Sequence, residues 1–353
     1  MKEGWEYKKL GEVAEVIHGK NQKDVLSANG TYPIYGSGGN VMGYASDYLC
    51  EAGTTILGRK GSINNPLYIK ERFWNVDTAF GISAKEGNDG KYLYYFIKTV
   101  DWLKKNTGTT LPSLTQQVVK SVVLPVPPLS EQQRIVNYLD SVFAKIDAMK
   151  ANAEKSLDEA KALFQASLKE MLEPKEGWEE KTLPDISENL DSKRKPVTKG
   201  KRESGIYPYY GASGIVDYVS DYLFDEDILL ISEDGANLVA RSTPIAFSVS
   251  GKVWVNNHAH ILKFKNIYTQ YFVEYYFASI KIDEYVTGAA QPKFSQKSMN
   301  KLPIWIPPLS EQQRIVATLD SLKSKVDRLQ ANFEKISQEC DALKQAILRQ
   351  VFE

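Results

Sequence analysis

The feature that most constrains the fold of this chain is an internal repeat. The ten residues PPLSEQQRIV occur at Pro127–Val136 and again at Pro307–Val316, 180 residues further along the chain. A repeat predicts the same local structure in each copy, so it has to be recognised before single elements are assigned. In each copy a mixed, aromatic-rich segment precedes the ten residues and a heptad-patterned segment follows them. The chain is therefore expected to fold as two similar units.

Shorter matches extend the repeat over almost the whole chain. The matched segments, first copy and then second, are Glu3–Glu6 with Glu176–Glu179, Tyr32–Gly36 with Tyr207–Gly211, Ser46–Leu49 with Ser220–Leu223, Thr107-Gly108 with Thr287-Gly288, and Leu139–Ser141 with Leu319–Ser321. They predict four domains in the order globular head, spacer helix, globular head, spacer helix. The predicted boundaries are residues 1–126, 127–173, 174–306 and 307–353.

Composition narrows the class of protein. The 44 basic and 44 acidic residues give a formal net charge of zero, whereas a protein that binds nucleic acid by itself is often basic. Cys50 and Cys340 are the only cysteines, which implies no disulfide framework and fits a reducing cytoplasm. The sequence shows neither the apolar run of a signal peptide nor a stretch long enough to span a bilayer. We therefore expect a cytoplasmic protein with no membrane partner.

The segments after the proline pairs predict two long helices. Ser130 and Ser310 suit the N-cap position, with Gln133 and Gln313 at the capping-box spacing. Apolar residues then alternate at spacings of four and three, which is the 3.5-residue repeat of a coiled-coil seam. The predicted seam is Ile135, Leu139, Val142, Ile146, Met149 and Ala153, with a slip through Leu157, Ala160 and Phe164, in the first helix, and Ile315, Leu319, Leu322, Val326, Leu329, Phe333, Ile336, Cys340, Leu343 and Ile347 in the second.

Connection lengths predict how these helices pair. The second head begins directly after the first helix ends, and the second helix begins where that head ends. The shortest connections therefore send the second helix back along the first, each helix being about 60 Å long. The predicted fold class is α+β: two α/β heads joined by two long antiparallel coiled-coil helices, with an internal pseudo-two-fold repeat.

Each head mixes short strands with an aromatic-rich helix. Apolar and β-branched runs predict strands at Val13–Ile17, Thr54–Leu57, Leu67–Ile69, Ile82–Ala84, Asp227–Ser232, Ile245–Val249, Val253–Val255 and Ile261–Phe264. Tyr92–Leu103 and Tyr268–Tyr285 are predicted as helices packed on these strands. The loops between the elements carry the more informative chemistry.

Three loops in each head, called here the first, second and third loops, carry candidate DNA contacts. The first loops, Gly36–Gly39 and Gly211–Gly214, are rich in glycine. Glycine lets a backbone approach a partner closely, but it also occurs in ordinary turns. The candidate contacts in the first loops are Ser37, Gly38 and Ser213.

The second loops, Gly58–Ser62 and Ser232–Ala236, place Arg59 in one head where the other has Glu233. In the DNA major groove arginine suits the two acceptors of guanine, whereas a carboxylate accepts from cytosine. This charge reversal is expected if the two related heads read different bases. It is equally expected if these are exposed turn residues whose identity is unconstrained. The candidate contacts in and after these loops are Arg59, Lys60, Ser62, Asn64, Glu233, Asp234, Asn237 and Arg241.

The third loops, Thr107–Ser113 and Thr287–Lys293, offer hydroxyl, amide and backbone donors. Such donors suit phosphate oxygens, which position a protein without reading sequence. The candidate contacts are Thr107, Thr109, Thr110, Ser113, Thr287, Gln291, Lys293 and Ser295. A basic run from Lys193 to Arg202 has no strong counterpart in the first head. It favours a solvated loop, with a phosphate contact as the alternative.

The chain carries no recognisable catalytic motif. It has no phosphate-binding loop, no zinc-protease helix motif, no nucleophile elbow and no convincing nuclease cluster. The proline pairs are followed by Leu-Ser, and not by the aromatic residue that adenine methyltransferases use after Asn-Pro-Pro or Asp-Pro-Pro. His258 and His260 have the spacing that puts two rings on one face of a strand, but no third ligand motif accompanies them. We therefore predict no catalytic residue and no metal site.

The order of an aromatic helix, a Thr-Gly loop, PPLSEQQRIV and a long helix, present twice, resembles the specificity subunit of type I restriction–modification systems. The resemblance covers essentially the whole chain. It implies that each head is a target recognition domain for one half of a bipartite, asymmetric site in double-stranded DNA. It implies that the helices set the gap between the half-sites and dock two methyltransferase subunits, which restriction (motor and nuclease) subunits join. The chain itself would be non-catalytic and need no cofactor, with S-adenosylmethionine, Mg²⁺ and ATP bound only by the partners.

Partner contacts are predicted outside the seam, at matched ends of the two helices. These residues are Glu131, Gln132, Arg134, Glu311, Gln312 and Arg314, and simple helix capping and solvation explain them equally well. Two other classes of protein stay open: a coiled-coil scaffold whose heads bind something other than DNA, and a fused nuclease or methyltransferase. Indifference of the assembled complex to DNA sequence would favour the scaffold, and activity of the purified chain alone would favour the enzyme.

Overall fold

The computed structural model describes residues 4–288 and 290–352; Glu3, Ala289 and Glu353, which belong to the segments above, lie outside the described residues. The chain divides into two compact units. The first contains the residues up to Ala153 together with those from Phe333 onwards, and the second is Glu154–Asn332. No helix within the described ranges is both long and apolar enough to cross a membrane.

The head of the first unit is built from short strands and helices. The strands are β1 (Glu6–Lys9), β2 (Ala14–His18), β3 (Tyr32–Tyr35), β4 (Val41–Ala45), β5 (Thr54–Gly58), β6 (Leu67–Ile69), β7 (Trp74–Asn75), β8 (Ala79–Ala84) and β9 (Val123–Val126). The helices are α1 (Leu10–Val13), α2 (Gly90–Ile97) and α3 (Gln116–Lys120), with a 3₁₀ turn at Leu103–Lys105.

The described residues of this head form two larger sheets and one two-stranded sheet. The larger has the strand order β2-β8-β5-β6, with every pairing antiparallel. Its central strand β5 is buried along its whole length, and α2 packs on the sheet through buried tyrosine, leucine and phenylalanine side chains. The smaller sheet, β4-β3-β7, combines an antiparallel hairpin with one parallel pairing. β1 pairs with β9, so the start of the head is tied to the strand that leads into the repeated proline pair.

The head of the second unit repeats this plan and is followed along the chain by the second long helix. Its strands are β10 (Glu179–Lys181), β11 (Ser187–Asn189), β12 (Ser204–Gly211), β13 (Gly214–Val219), β14 (Phe224–Asp225), β15 (Ile228–Ser232), β16 (Ala246–Val249), β17 (Lys252–Val255), β18 (Ala259–Phe264) and β19 (Ile304–Ile306). The long helices of the chain are α4 (Leu129–Leu172) and α9 (Leu309–Phe352), and the short helices of the second head are α5 (Leu183–Ile186), α6 (Asn237–Ala240), α7 (Ile267–Ser279) and α8 (Gln296–Met299).

Strand pairing in the second head matches the first. The sheets have the orders β11-β18-β15-β16, β13-β12-β17-β14 and β10-β19. The counterpart of β14 in the first head is a single bridge between Cys50 and Phe73. The predicted α+β class and internal repeat are therefore confirmed. The predicted strands are present, Leu67–Ile69 with the predicted bounds and the others shifted, shortened or extended by up to three residues.

The two aromatic helices end earlier than predicted. α2 stops at Ile97 and α7 at Ser279, because a side chain from outside each helix bonds the carbonyls at its end. Trp102, which is fully buried, donates its indole N–H to the Ile97 carbonyl at 3.0 Å. Arg241 donates to the carbonyls of Phe277 and Ile280, each at 3.1 Å. These hydrogen bonds pair backbone carbonyls at the helix ends, which the N–H groups of a further helical turn would otherwise have paired.

Both long helices begin one residue before the predicted cap. The helices start at Leu129 and Leu309, so Ser130 and Ser310 lie inside the first turn and the predicted N-cap assignment is wrong. The Pro128 carbonyl accepts from the N–H groups of Glu131, at 2.9 Å, and Gln132, at 3.0 Å. Pro128 is tolerated at this position because an N–H group at the start of a helix would have no hydrogen-bond partner within the helix.

Within each unit the long helices run antiparallel. In the first unit the start of α4 shares a core with the end of α9, and in the second unit the end of α4 shares a core with the start of α9. The predicted seam is wrong at Met149, which is 61% exposed, and at Leu343, which is 48% exposed. Leu348 and Phe352 are buried instead, because the end of α9 packs on the head as well as on α4. A helix with two neighbours buries a wider face than a coiled-coil seam.

A buried glutamine from the repeated motif joins each head to its long helix. Gln132 accepts from the N–H of Asp89, the residue that caps α2, at 2.8 Å, and donates to the Pro127 carbonyl at 2.9 Å. In the second unit Gln312 accepts from the Thr269 hydroxyl, in the first turn of α7, at 2.7 Å. Each glutamine thus connects the start of an aromatic helix to the start of a long helix.

A tyrosine–aspartate contact makes a second joint one or two turns further along. The Tyr95 hydroxyl donates to Asp140, and the Tyr275 hydroxyl donates to Asp320 at 2.5 Å. Burial and the hydrogen bond to the carboxylate raise the pKa of both tyrosines, so both stay protonated donors. The aspartate of the repeated Leu-Asp-Ser segment therefore has the same role in both units, which is to accept this hydrogen bond.

We expect Tyr95→Phe and Tyr275→Phe each to destabilise their own unit by about 1 kcal/mol, since each removes one hydrogen bond to a partly exposed carboxylate. For a unit of this size the midpoint of thermal unfolding should fall by roughly 2–4 °C, measured by circular dichroism. Tyr138→Phe is the control for the first unit, because Tyr138 is 55% exposed on α4, the helix that carries Asp140. An equal shift in the control would contradict this role.

Candidate nucleic-acid interface

The three predicted loops of the first head meet at one edge. Lys60 in the second loop forms a β-bridge with Ser113 in the third, and the Gly61 N–H donates to the Pro112 carbonyl at 2.9 Å. The first loop is the turn of the β3–β4 hairpin. A Cβ added at Gly38 would lie 3.7 Å from the Ser62 hydroxyl, so this turn touches the second loop.

The same connections recur in the second head. Asp234 forms a β-bridge with Lys293, and the Gly235 N–H donates to the Pro292 carbonyl at 3.0 Å. The first loop is joined by a hydrogen bond from the Ser232 hydroxyl to the Ala212 carbonyl. The two heads therefore present one backbone arrangement with different side chains on it.

The charge reversal inferred from the sequence falls on equivalent positions of this arrangement. The Leu114 N–H donates to the Arg59 carbonyl at 2.8 Å, and the Phe294 N–H donates to the Glu233 carbonyl at 2.7 Å.

The glycine of the repeated Thr-Gly pair is required by the backbone conformation of the third loop. A Cβ at Gly108 would lie 2.1 Å from the Leu111 carbonyl oxygen, and Gly288 has a φ of +86°, so the third loop folds back only with glycine there.

Most candidate contacts of the first head lie at the surface. Lys60, Ser62, Asn64, Thr107, Thr109 and Thr110 are exposed, and Ser37, Arg59 and Ser113 are partly exposed. Two of these side chains also support the loops. Arg59 donates through Nη1 to the Asp77 carbonyl at 2.9 Å, and Asn64 accepts from the Trp102 N–H at 3.0 Å. The guanidinium has further donors beyond Nη1, so this bond holds it at the edge without using all of them.

Glu233 does not face solvent in the manner proposed for a cytosine contact. Its side chain is 13% exposed, with one carboxylate oxygen 2.7 Å from Arg194 and the other 3.2 Å from Lys293. Burial works to raise the pKa of Glu233, but the hydrogen bond from Arg194 and the surrounding positive charge outweigh it, so that this pKa lies below its usual value. This geometry argues against Glu233 as a free acceptor for a base.

The solvated-loop interpretation of the basic run fails for its two arginines. The Arg194 side chain is 15% exposed and is paired with Glu233. Arg202 is 16% exposed, pairs with Asp217 at 3.0 Å and lies over the Tyr209 ring. Both arginines are therefore part of the head's interior.

The two histidines of the second head have separate surroundings. His258 lies in the turn before β18, half exposed, with Nδ1 2.9 Å from both carboxylate oxygens of Asp234. His260 is buried, with Nδ1 2.6 Å from Asp191 and Nε2 2.8 Å from the Phe294 carbonyl. They do not form one pair on a strand face. Within residues 4–288 and 290–352, no group of three or more His, Cys, Asp or Glu side chains could hold a metal ion.

Other candidate residues of the second head divide into supporting and exposed side chains. Arg241 bonds the end of α7, Asn237 closes its own turn through Ser242 and Thr243, and Ser295 caps α8. Ser213, Thr287, Gln291 and Lys293 are exposed, and Asp234 is partly exposed. The surface that this head offers is therefore carried mainly by these residues and by His258.

The predicted partner contacts need one correction. Gln132 and Gln312 are 1% and 4% exposed and are used within their own units, so they are removed from the candidate partner surface. Glu131 with Arg134 and Glu311 with Arg314 form ion pairs one turn apart on the helix surface. Arg134 and Arg314 are 77% and 65% exposed and stay candidates.

Sequence reasoning missed an exposed apolar pair beside the first loop of each head. Met42 and Tyr44 on β4 are each 51% exposed, and Val216 and Tyr218 on β13 are 56% and 51% exposed. Tyr44 pairs with Pro33 in the ladder as Tyr218 pairs with Pro208, so the positions are equivalent. The sequence did carry a signal for these residues, because a tyrosine follows each of the two repeated Tyr-Pro segments at an equivalent position.

Two heads with one loop scaffold and unlike loop side chains define a duplicated recognition protein. A family model described as the type I restriction modification DNA specificity domain matches residues 2–158 and 175–338. The match covers well over half of the chain, and the chain belongs to this family.

Curated relatives carry the same description. The EcoprrI specificity subunit of Escherichia coli is 25% identical over 298 residues, covering 80% of this chain and 71% of the relative. The MjaIX specificity subunit of Methanocaldococcus jannaschii is 24% identical over 326 residues, covering 81% and 73%. A Haemophilus influenzae type I specificity subunit is 36% identical over 155 residues, which span 44% of this chain and only 40% of that relative.

Solved structures share the fold. A chain from a structure described as the basis of complex assembly and conformational transition of the type I R-M system has a TM-score of 0.76 at 17% identity, covering 99% of this chain and 98% of that chain. The HsdS subunit from Thermoanaerobacter tengcongensis has a TM-score of 0.60 at 18% identity, covering 100% and 97%. These likenesses support the fold of two α/β heads and two long helices.

We expect acid to weaken the second unit partly through Glu233. The pKa of Glu233 is lower in the folded state than its ordinary value of 4.5. The ionised carboxylate therefore stabilises the folded state at pH values above 4.5, and this stabilisation is lost as the pH falls through the lowered pKa. The unfolding midpoints of wild type and Glu233→Gln should therefore differ most near pH 7 and converge below about pH 4.5. Thermal unfolding across this range measures it, with Glu284→Gln, an exposed carboxyl of the same head, as control. A difference that does not change with pH would contradict the expectation.

Proposed function

We propose that this chain selects the DNA sequence for a type I restriction–modification complex, with each head reading one half of a bipartite, asymmetric site in double-stranded DNA. The observation that carries the proposal is the pair of equivalent loop edges. Their backbone hydrogen bonds match, while Arg59 and Lys60 in one head stand where Glu233 and Asp234 stand in the other. One scaffold with unlike side chains is what two unlike half-sites require.

The long helices fit a spacer role in this proposal. α4 and α9 are each continuous over 44 residues, and each contributes to both units. A helix is a stiff element with a fixed rise per residue, so it suits a fixed gap between two half-sites. The exposed ion pairs Glu131–Arg134 and Glu311–Arg314 lie at matched ends of these helices, where we place two methyltransferase subunits.

The zero net charge fits a division of labour among subunits. Phosphate neutralisation supplies most of the salt-dependent affinity of DNA-binding proteins, and a neutral chain is poorly suited to supply it alone. We therefore assign most phosphate contacts, and the restriction activity, to partner subunits. In this proposal the chain is non-catalytic, and S-adenosylmethionine, Mg²⁺ and ATP bind to those partners.

Deleting the gene for this chain should abolish methylation of adenine in one bipartite motif, because the methyltransferase then lacks its sequence reader. Single-molecule sequencing of genomic DNA from cells with and without the chain measures this and reveals both half-sites. An unchanged methylation pattern, with the methyltransferase shown to be expressed and active, would favour the scaffold alternative.

Arg59→Ala should relax recognition at one half-site and leave the other unchanged. A good bidentate arginine–guanine contact discriminates by about 1–3 kcal/mol, or roughly 5–150-fold in the ratio of methylation rates. Rates on duplexes with one substituted base in either half-site measure this ratio. Arg72→Ala is the matched control, since Arg72 is a half-exposed arginine of the same head, paired with Glu51. Equal loss at both half-sites would argue against the assignment.

A further inference from the structure

The second head contains a cluster of charged side chains behind its loops. The cluster, named here the ion cluster, consists of Asp191, Arg194, Glu233 and His260, whose side chains are 8%, 15%, 13% and 1% exposed. Arg194 is its centre: it donates to Glu233 at 2.7 Å and to the Ala259 carbonyl at 2.9 Å, and lies 3.4 Å from Asp191. None of these side chains faces solvent as a base-contacting group would.

The ion cluster ties together segments that are distant in sequence. Asp191 and Arg194 follow β11, Glu233 lies in the second loop, and His260 is on β18. His260 also bonds the Phe294 carbonyl, directly after the third loop. On the outer side the exposed Lys293 of the third loop lies 3.2 Å from Glu233. The second and third loops are thus held to each other, and to the sheet, through charged side chains.

The equivalent region of the first head is built differently in the residues that the structure describes there. His18 pairs with Phe80 in the ladder between β2 and β8, and their rings pack edge to face with centroids 4.9 Å apart. Arg59, at the position of Glu233, bonds a backbone carbonyl rather than a charged side chain. The first head therefore holds the same loops with backbone hydrogen bonds and aromatic packing.

Burial of charged groups calls for an explanation other than stability. Removing ions from water costs several kcal/mol for each ion, and well-packed apolar residues often stabilise a fold as much as a buried ion pair does. What a buried ion pair can supply is a single geometry, because its oxygens and N–H groups all find hydrogen-bond partners in only one conformation. In the second head, that geometry belongs to the two loops that carry the candidate contacts.

We propose that Arg194 is a positioning residue for sequence recognition by the second head, fixing the second and third loops through Glu233 without touching DNA itself. The inference rests on the proposed function. It assigns specificity to a residue that lies about forty positions before the second loop and outside all three loops.

The test uses the full chain assembled with its methyltransferase subunits and DNA duplexes carrying the methylated motif. Methylation rates are measured on the motif and on duplexes with one substituted base in either half-site. Arg194→Met and Glu233→Gln should each lower discrimination at the second head's half-site by about tenfold, the equivalent of one lost base contact, and leave the other half-site unchanged. The double variant should lose no more than either single variant, because the two side chains act as one pair.

Arg202→Met is the matched control. Arg202 belongs to the same head, is as deeply buried as Arg194, and pairs with Asp217 on the β12–β13 hairpin. Arg194→Lys keeps the charge but loses the planar fork, so it should restore part of the discrimination. Loss of discrimination at both half-sites, the same loss in Arg202→Met, or unchanged discrimination in Arg194→Met would each overturn the proposal.

Hydrogen–deuterium exchange gives a second readout for variants that assemble poorly. In the free full chain, Glu233→Gln should speed exchange of the amides of Gly235, Thr287 and Phe294, which close the two loops, and leave the matched amides Gly61, Thr107 and Leu114 unchanged. Unchanged exchange at both sets would overturn the proposal. Failure of the proposed function is recognised separately, because the wild-type complex would then methylate without regard to either half-site.

Discussion

The structure depends on the joint at which a proline pair ends a strand and opens a long helix. Gln132 and Asp140 in one unit, and Gln312 and Asp320 in the other, hold that helix against the start and the middle of an aromatic helix of the head. Both glutamines are buried, so these contacts form in the absence of competing water. The repeated ten-residue motif is therefore explained by attachment of the helix to its head. The first of its two glutamines connects two helices and cannot bind a partner at the same time.

Much of the fold was predictable because it repeats. Matched segments located the heads, the long helices and most central strands, where runs of buried β-branched and aliphatic residues dominate. The errors lie where a distant side chain decides the outcome. α2 and α7 end early because Trp102 and Arg241 bond carbonyls at their ends. The seam fails at Leu343 because the end of α9 packs on the head as well as on α4. Local periodicity carries no information about either contact.

The three loops of each head were predictable from the sequence, but the surroundings of their side chains were not. The repeat paired Arg59 with Glu233 correctly, and loop composition identified three loops that the structure joins at one edge. Sequence spacing could not show that Glu233 faces inward, because its partner Arg194 lies 39 residues earlier in what reads as a basic, solvated run. The exposed tyrosines beside the first loops were passed over for a related reason: an isolated tyrosine on a short strand looks like any core residue.

The ion cluster has a consequence for which part of this head could be exchanged with another protein. Its members extend from Asp191 to His260, and its bonds reach Lys293 and Phe294, so they span most of the second head. Exchange of a single loop with another protein would leave a buried carboxylate or guanidinium without its partner, at a cost that few folds tolerate. Transfer of the whole head would keep each of these charges with its partner, so the head is a more suitable unit of exchange than any one of its loops.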